Sequence, residues 1–320
     1  MSPLPRWLSS RPPAAALEIS AHRVTLAVVA DHGGSRVLSG YAHEALPEGA
    51  VTPALNSPNV HDGAALSAAI RAVLDRVTPR PRRIALVLPD IVGKLSLLRF
   101  EKIPPRLQDL EQLIRWQVRK AAPFKIEDAQ VAWVPGMILP EGGREYIVVV
   151  ARRDIVESYE RACETAGAYP GIVDLASANL VNAVLVTQGA AASAADWLLV
   201  HVAAEYSTLA VVRGSDVIFF RTRPSEQDEN LADLVHQTAM YHEDRLGGGG
   251  FSRVVLAGAS IRGADVAERL RRQLEERVGT RVEALDFRGA VALRDRIAAA
   301  PELLDSLAPA IGVILRERVA

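Results

Sequence analysis

The sequence predicts an α/β fold in which one unit is used twice. Strand-like runs of β-branched and aliphatic residues alternate with helical 3.6-residue patterns along the whole chain. The pentapeptide Thr25-Leu26-Ala27-Val28-Val29 returns letter for letter as Thr208-Leu209-Ala210-Val211-Val212, an offset of 183. Both copies sit within strand, tight turn, strand, turn, strand. Self-similarity at that distance points to two like domains facing each other, not to a solenoid.

Composition agrees. A chain of 320 residues holds about two domains of ~150 residues each. With 49% hydrophobic and 23% charged residues, there is ample material for a core, so global disorder is excluded. Lys+Arg (37) and Asp+Glu (38) nearly cancel, leaving no basic field for a general nucleic-acid binder. The single cysteine, Cys163, rules out an intramolecular disulfide and a cysteine-rich metal site. The most apolar stretch, Ala183 to Ala204, is interrupted by Gln188, Asp196 and His201, so no membrane-spanning helix is expected. Residues 1–13 carry Arg6 and Arg11 without a secretory core and read as a disordered tail of a cytoplasmic protein.

The elements follow in order. Ala14–Ala30 reads as two strands around a turn. His32-Gly33-Gly34-Ser35 is a hairpin turn, and Arg36–Tyr41 is a third strand. His43–Asp62, with three prolines, is a loop. Ala64–Val77 is an amphipathic helix on Leu66, Ile70, Val73 and Leu74, and Ile84–Leu88 is a buried strand. Then comes a block with the order β-α-β-β-α. Its first strand is Leu95–Phe100. Its helix is opened by Pro104-Pro105 and has Leu107, Leu110, Leu113, Ile114, Val118 and Ala121 on one face. Strands Ala129–Leu139 and Glu145–Ala151 follow, then a helix Asp154–Ala166 with Asp154 as N-cap and Gly167 as its stop. After a strand at Ile172-Val173, Asp174 is expected to cap a helix running to about Val186. Beyond the second triple of strands lie the acidic segment Glu226–Glu229, a helix Leu231–Arg245 and a connector Gly247–Gly250 without the Lys-Ser/Thr of a Walker loop. A strand Arg253–Leu256, a helix Ala264–Arg277, a last strand Arg281–Leu285 and a helix Leu303–Leu315 complete the chain.

Several residue patterns carry a resemblance. They are Lys102-Ile103-Pro104, the helix ending in Ala122-Pro123-Phe124 before Glu127-Asp128, Val148-Val149-Val150-Ala151-Arg152-Arg153, Ala166-Gly167-Ala168-Tyr169-Pro170 and Leu256-Ala257-Gly258-Ala259. In this order and spacing the chain resembles the actin-like ATPase superfamily, and within it the PilM family of type IV pilus assembly proteins, cousins of FtsA. The resemblance implies an actin-like, ribonuclease H-like duplicated fold. Subdomain 1A would occupy residues 14–88 and 167–195, and an inserted subdomain 1C residues 89–166. A second domain would fill 196–320, with a reduced or missing subdomain 2B at about 225–250.

In that superfamily nucleotide lies between two hairpins that each begin Asp-x-Gly. Here the first hairpin reads Glu18-Ile19-Ser20-Ala21-His22-Arg23 and the second His201-Val202-Ala203-Ala204-Glu205. Glu18 and His201 stand where aspartates are expected, and Ser20 and Ala203 where glycines are. A neutral imidazole is a poor Mg²⁺ ligand. Of the third element, Gly258 remains and Ala259 replaces a glycine. The degenerate cleft is therefore Glu18, Ser20, Ala21, His22, Arg23, His201, Ala203, Ala204, Gly258 and Ala259. No catalytic or metal site is expected there, and no cofactor, although ATP stays a candidate ligand.

The expected function is a scaffold, a pseudo-ATPase of the pilus inner-membrane platform at the inner face of the inner membrane. Its partner would be the cytoplasmic tail of a PilN-like membrane protein, with other pilus motor or platform proteins beside it. Membrane contact would come only through the partner, and nucleic acid is excluded. Two alternatives stand beside it: an ATP-binding, slowly hydrolysing actin-like ATPase, and a cytoplasmic domain like that of GspL in type II secretion.

Overall fold

The structure, a computed structural model, describes residues 12–140, 142–188, 195–225, 230–294 and 297–316. The first half starts with β1 (Ala15–Ile19), β2 (Arg23–His32) and β3 (Ser35–Ala45), an antiparallel meander. Gly33 and Gly34 form the β2–β3 turn with φ of 57° and 86°, the left-handed pair that a two-residue hairpin needs. Helix α1 (Gly63–Asp75) returns the chain to β4 (Arg83–Leu88), parallel to β1.

The insert follows as β5 (Gly93–Phe100), α2 (Leu107–Arg119), β6 (Ala129–Ile138), β7 (Arg144–Arg152) and α3 (Arg153–Thr165). The chain then re-enters the first sheet at β8 (Tyr169–Leu175) and continues into α4 (Ala176–Gln188). The second half repeats the plan with β9 (Trp197–Val202), β10 (Tyr206–Arg213), β11 (Asp216–Pro224), α5 (Leu231–Leu246), β12 (Val254–Ala257), α6 (Ala264–Val278) and β13 (Val282–Ala284). A short β14 (Ala292–Leu293) and α7 (Pro301–Ile314) close the chain.

The duplication is visible in the sheets. The first runs β14-β3-β2-β1-β4-β8 and the second β11-β10-β9-β12-β13, so five strands of each share one topology. Register follows the 183-residue offset: Thr25 pairs with Glu18, and Thr208 with His201. The hairpin turns match as well, since the Ser20 N–H donates to the Arg23 carbonyl and the Ala203 N–H to the Tyr206 carbonyl, both at 3.0 Å.

Alternation along the strands sorts the side chains. Leu17 and Ile19 face an outer core with α1 and α3, while Ala16 faces the centre. Leu198 and Val200 likewise face the second half's own core, while Trp197 and Leu199 face the centre. That central core, between the halves, is built on α4 and α7. There the helices nearly touch: a Cβ on Gly312 would lie 2.0 Å from the Asn179 carbonyl oxygen.

The insert has its own core, in which Leu110, Ile114 and Val118 of α2 cover Phe100, Tyr146 and Val148 of the sheet β5-β7-β6. Strand β11 of the second half runs beside β5 and β6, and Met137 packs into the second half's core. The insert thus spans both halves.

Several sequence expectations are corrected. Leu107 does not join the buried face of α2; it is 56% exposed, because α2 begins at that residue. Asp154 lies inside the first turn of α3 and Arg152 takes the cap position. Asp174 does not cap α4. The Ser177 N–H in the first turn donates instead to Asp90, 87 residues earlier, while Asp174 accepts from Leu175 N–H and from Arg316. The last strand is β14, pairing with β3 of the first half, not Arg281–Leu285. The connector Gly247–Gly250 is not featureless: Gly247 ends α5 at φ 64°, and a Cβ on Gly248 would sit 1.9 Å from the His242 ring. Residues 1–11 and the segment 226–229 lie outside the described residues.

Candidate functional site

The residues singled out from sequence gather where the two halves meet. Glu18 stands on β1, one residue from its end, and His201 holds the same place on β9. Gly258 and Ala259 follow β12, whose Ala257 pairs with His201. What these groups touch determines what the cleft can hold.

In the first hairpin, Ser20 closes its own turn. Its Oγ accepts from the Arg23 N–H at 3.2 Å and the His22 N–H at 3.4 Å. Amides that would cradle an anion point at a side chain of the same turn. Among the described residues no non-glycine residue has positive φ. Ser20 and Ala203 therefore close these turns without the left-handed backbone that glycine permits.

His201 is buried. Its Nδ1 lies 2.8 Å from Ser177 Oγ and 3.5 Å from Asp90 Oδ2, and its ring meets Tyr206 edge-on at 5.6 Å. Asp90 is the hub. Fully buried just past β4, it accepts from the Ser177 N–H (2.9 Å), from Ser177 Oγ and from Thr208 Oγ1 (2.7 Å). A buried carboxylate needs such donors, and here they come from both halves. Burial holds the Tyr206 phenol well above its ordinary range, with the Asp90 carboxylate adding to the rise.

Glu18 is different. Its Oε2 is enclosed and has no partner. Burial raises its carboxyl to about 6, with Arg23 and His201 pulling the other way and Asp90 adding to the rise. At the rim, His22 Nε2 lies 3.1 Å from Glu205 Oε1, so the two hairpin tips meet. Near the third element, the Ser260 N–H donates to Asp305 of α7 at 2.8 Å. Gly258, at φ 82°, is required because a Cβ there would lie 2.4 Å from the Val202 carbonyl oxygen. Packing of the chain's own strands demands that glycine.

These residues do not fit a magnesium triphosphate between the hairpins. The first turn's amides are used internally, His201 is bonded to Ser177, and Glu205 places a carboxylate at the rim. Among the described residues no group of three His, Cys, Asp or Glu side chains is placed to hold a metal ion. Sequence reasoning singled out neither Asp90 nor Ser177, and took Thr208 only as part of the repeat. A threonine inside a buried strand was the available signal: Thr208 lies fully buried and bonds across to the other half.

The family model for type IV pilus assembly protein PilM matches residues 16–244. The chain belongs to the PilM family. Among solved structures, this PilM-family chain is similar to the PilM–PilN type IV pilus biogenesis complex, with a TM-score of 0.78 and 20% identity over 96% of this chain and 97% of that one. It is also similar to a Bacteroides thetaiotaomicron protein of actin-like ATPase fold and unknown function, with a TM-score of 0.50 and 10% identity over 89% and 94% of the two chains. No curated protein sequence matches it significantly. The fold is thus actin-like, and the chain is a pilus assembly protein by family. No helix among the described residues is long and apolar enough to cross a membrane.

Proposed function

We propose that this PilM-family chain works as a scaffold of the pilus platform, at the inner face of the inner membrane, and does not turn over ATP. The observation that carries this reading is the cleft itself. Asp90, Ser177, His201 and Thr208 bond one another across the two halves at the place where the superfamily holds nucleotide. Phosphoryl transfer depends on a positioned metal, and Glu18 is the one carboxylate at the two hairpin starts. The test is magnesium-dependent phosphate release by the purified chain. We expect none above background; turnover abolished by Glu18→Ala would replace this reading with that of a slow ATPase.

The partner in this reading is the cytoplasmic tail of a PilN-like membrane protein, as the similarity to a PilM–PilN complex suggests. It docks where the 95–151 block meets the first half. β5 and β6 are the edges of the insert's sheet and β8 is an edge of the first sheet, so an extended segment could add main-chain bonds there. Because β11 runs beside β5 and β6, the docked segment takes the first-half side of the seam. A calorimetric titration compares the full chain with one lacking residues 95–151. Gly93 and Ala151 are paired neighbours, so the excision leaves a short gap. Equal binding by a folded deletion variant would place the partner elsewhere.

A further inference from the structure

A groove of about 410 Å³ runs between α5 and α6 on the second half and reaches Ala204 of the second hairpin; none of its lining residues lies in the insert or the first half. Its floor is aliphatic, formed by Leu231 and Leu234 of α5 and by Val266 and Leu270 of α6. Arg223, Arg262 and Arg269 stand around it. None of the three side chains has a hydrogen-bond or ion-pair partner among the described residues, whereas Arg271 and Arg272, on the same helix as Arg269, are paired with Glu268.

The α6 residues at the groove fall at helical spacing. Arg262 precedes the helix; Val266, Arg269, Leu270 and Gln273 form one stripe along it. From Arg262 to Gln273 this stripe extends for ~16 Å. A row of cations beside an aliphatic floor calls for the reverse pattern in its occupant: carboxylates at the edge, leucine-like side chains beneath.

We propose that the α5–α6 groove docks an acidic amphipathic segment of a protein partner. Arg262 and Arg269 are seven residues, about two helical turns, apart, and no aromatic side chain lines the groove to stack a base. Both features favour a peptide over a nucleotide. The site is separate from the seam assigned to the PilN-like tail, so either can fail alone.

The test uses the full chain and fluorescein-labelled helical peptides of about three turns, followed by anisotropy. One peptide carries Leu and Glu at amphipathic spacing; its counterpart carries Leu and Lys. The acidic peptide should bind at least about tenfold more tightly than the basic one, more weakly as salt rises. Arg262→Glu with Arg269→Glu should weaken it by about tenfold or more, whereas Arg106→Glu with Arg119→Glu, on the insert, should leave it unchanged. Equal binding of both peptides, or loss of binding only in the insert variant, would overturn the proposal. So would displacement of the peptide by ATP at a lower concentration than unlabelled peptide requires, which would make the groove a nucleotide site.

Discussion

His22 and Glu205 occupy the same position in the two duplicated hairpins, and they meet each other at 3.1 Å. A duplication places equivalent turns face to face, and the divergence of their sequences has put a base on one and a carboxylate on the other. His22 is largely exposed, so the interaction of its protonated form with Glu205 is screened by solvent and modest. A double-mutant cycle of His22→Ala and Glu205→Ala should give a coupling of about 0.5 kcal/mol at low salt that fades in high salt. A coupling unchanged by salt would show that packing, not charge, joins the tips.

Asp90 has the largest predicted effect. Asp90→Ala would leave the buried Ser177 N–H without its acceptor and leave the Ser177 and Thr208 hydroxyls only His201 and Thr222 as partners, and should cost about 3 kcal/mol in denaturant unfolding. Thr208→Val removes one donor and should cost about 1 kcal/mol. Asp90→Ala costing no more than Thr208→Val would mean that Asp90 is not the hub.

Glu18 sets a pH dependence. Its carboxyl is raised from 4.5 to about 6 by burial, so the folded state binds more protons than the unfolded state between those values. Stability therefore falls as pH rises from about 4.5 to 6, by at most about 2 kcal/mol. Glu18→Gln should remove that fall, leaving the variant the more stable protein above pH 6 and not below pH 4.5. Parallel stability curves for the two proteins between pH 4 and 7, measured by urea unfolding, would contradict the assignment.

The glycine run offers a paired test. A Cβ on Gly248 would press on the His242 ring at 1.9 Å, and that ring is held by Asp196 at 2.6 Å and stacked on Phe251. Asp196 is in turn clamped by Arg213 through two bonds of 2.8 and 2.7 Å. Gly248→Ala should cost about 2–3 kcal/mol. At Gly249 a Cβ meets nothing within 4 Å, and Gly249→Ala should lie within about 0.5 kcal/mol of the parent. Thermal melts of the two variants decide between a packed turn and a loose connector.

Much of the fold was legible because it is written in local periodicity and in a repeat. The pentapeptide at Thr25 and Thr208 identified equivalent strands, since a buried strand between two others needs the same aliphatic run in each copy. The insert's helix and three strands were readable from their periods. Leu107 was misplaced because the pattern does not say where a helix begins, and β14 was missed because two residues carry no period. The cleft residues were readable as departures from a motif, not as the contacts they make.

The sequence by itself determined the duplicated α/β plan, the position of the insert and the presence of Glu18, His201, Ser20 and Ala203 where the superfamily has aspartates and glycines, because each of these is local or repeated. Only the tertiary structure decided that Asp90 would cap α4 in place of Asp174, that Ser177 and Thr208 would share its carboxylate, and that His22 would face Glu205. Those partners lie 87, 118 and 183 residues apart. A buried carboxylate takes whichever donors the folded chain brings within about 3 Å, and that proximity is a property of two packed halves that no single segment carries.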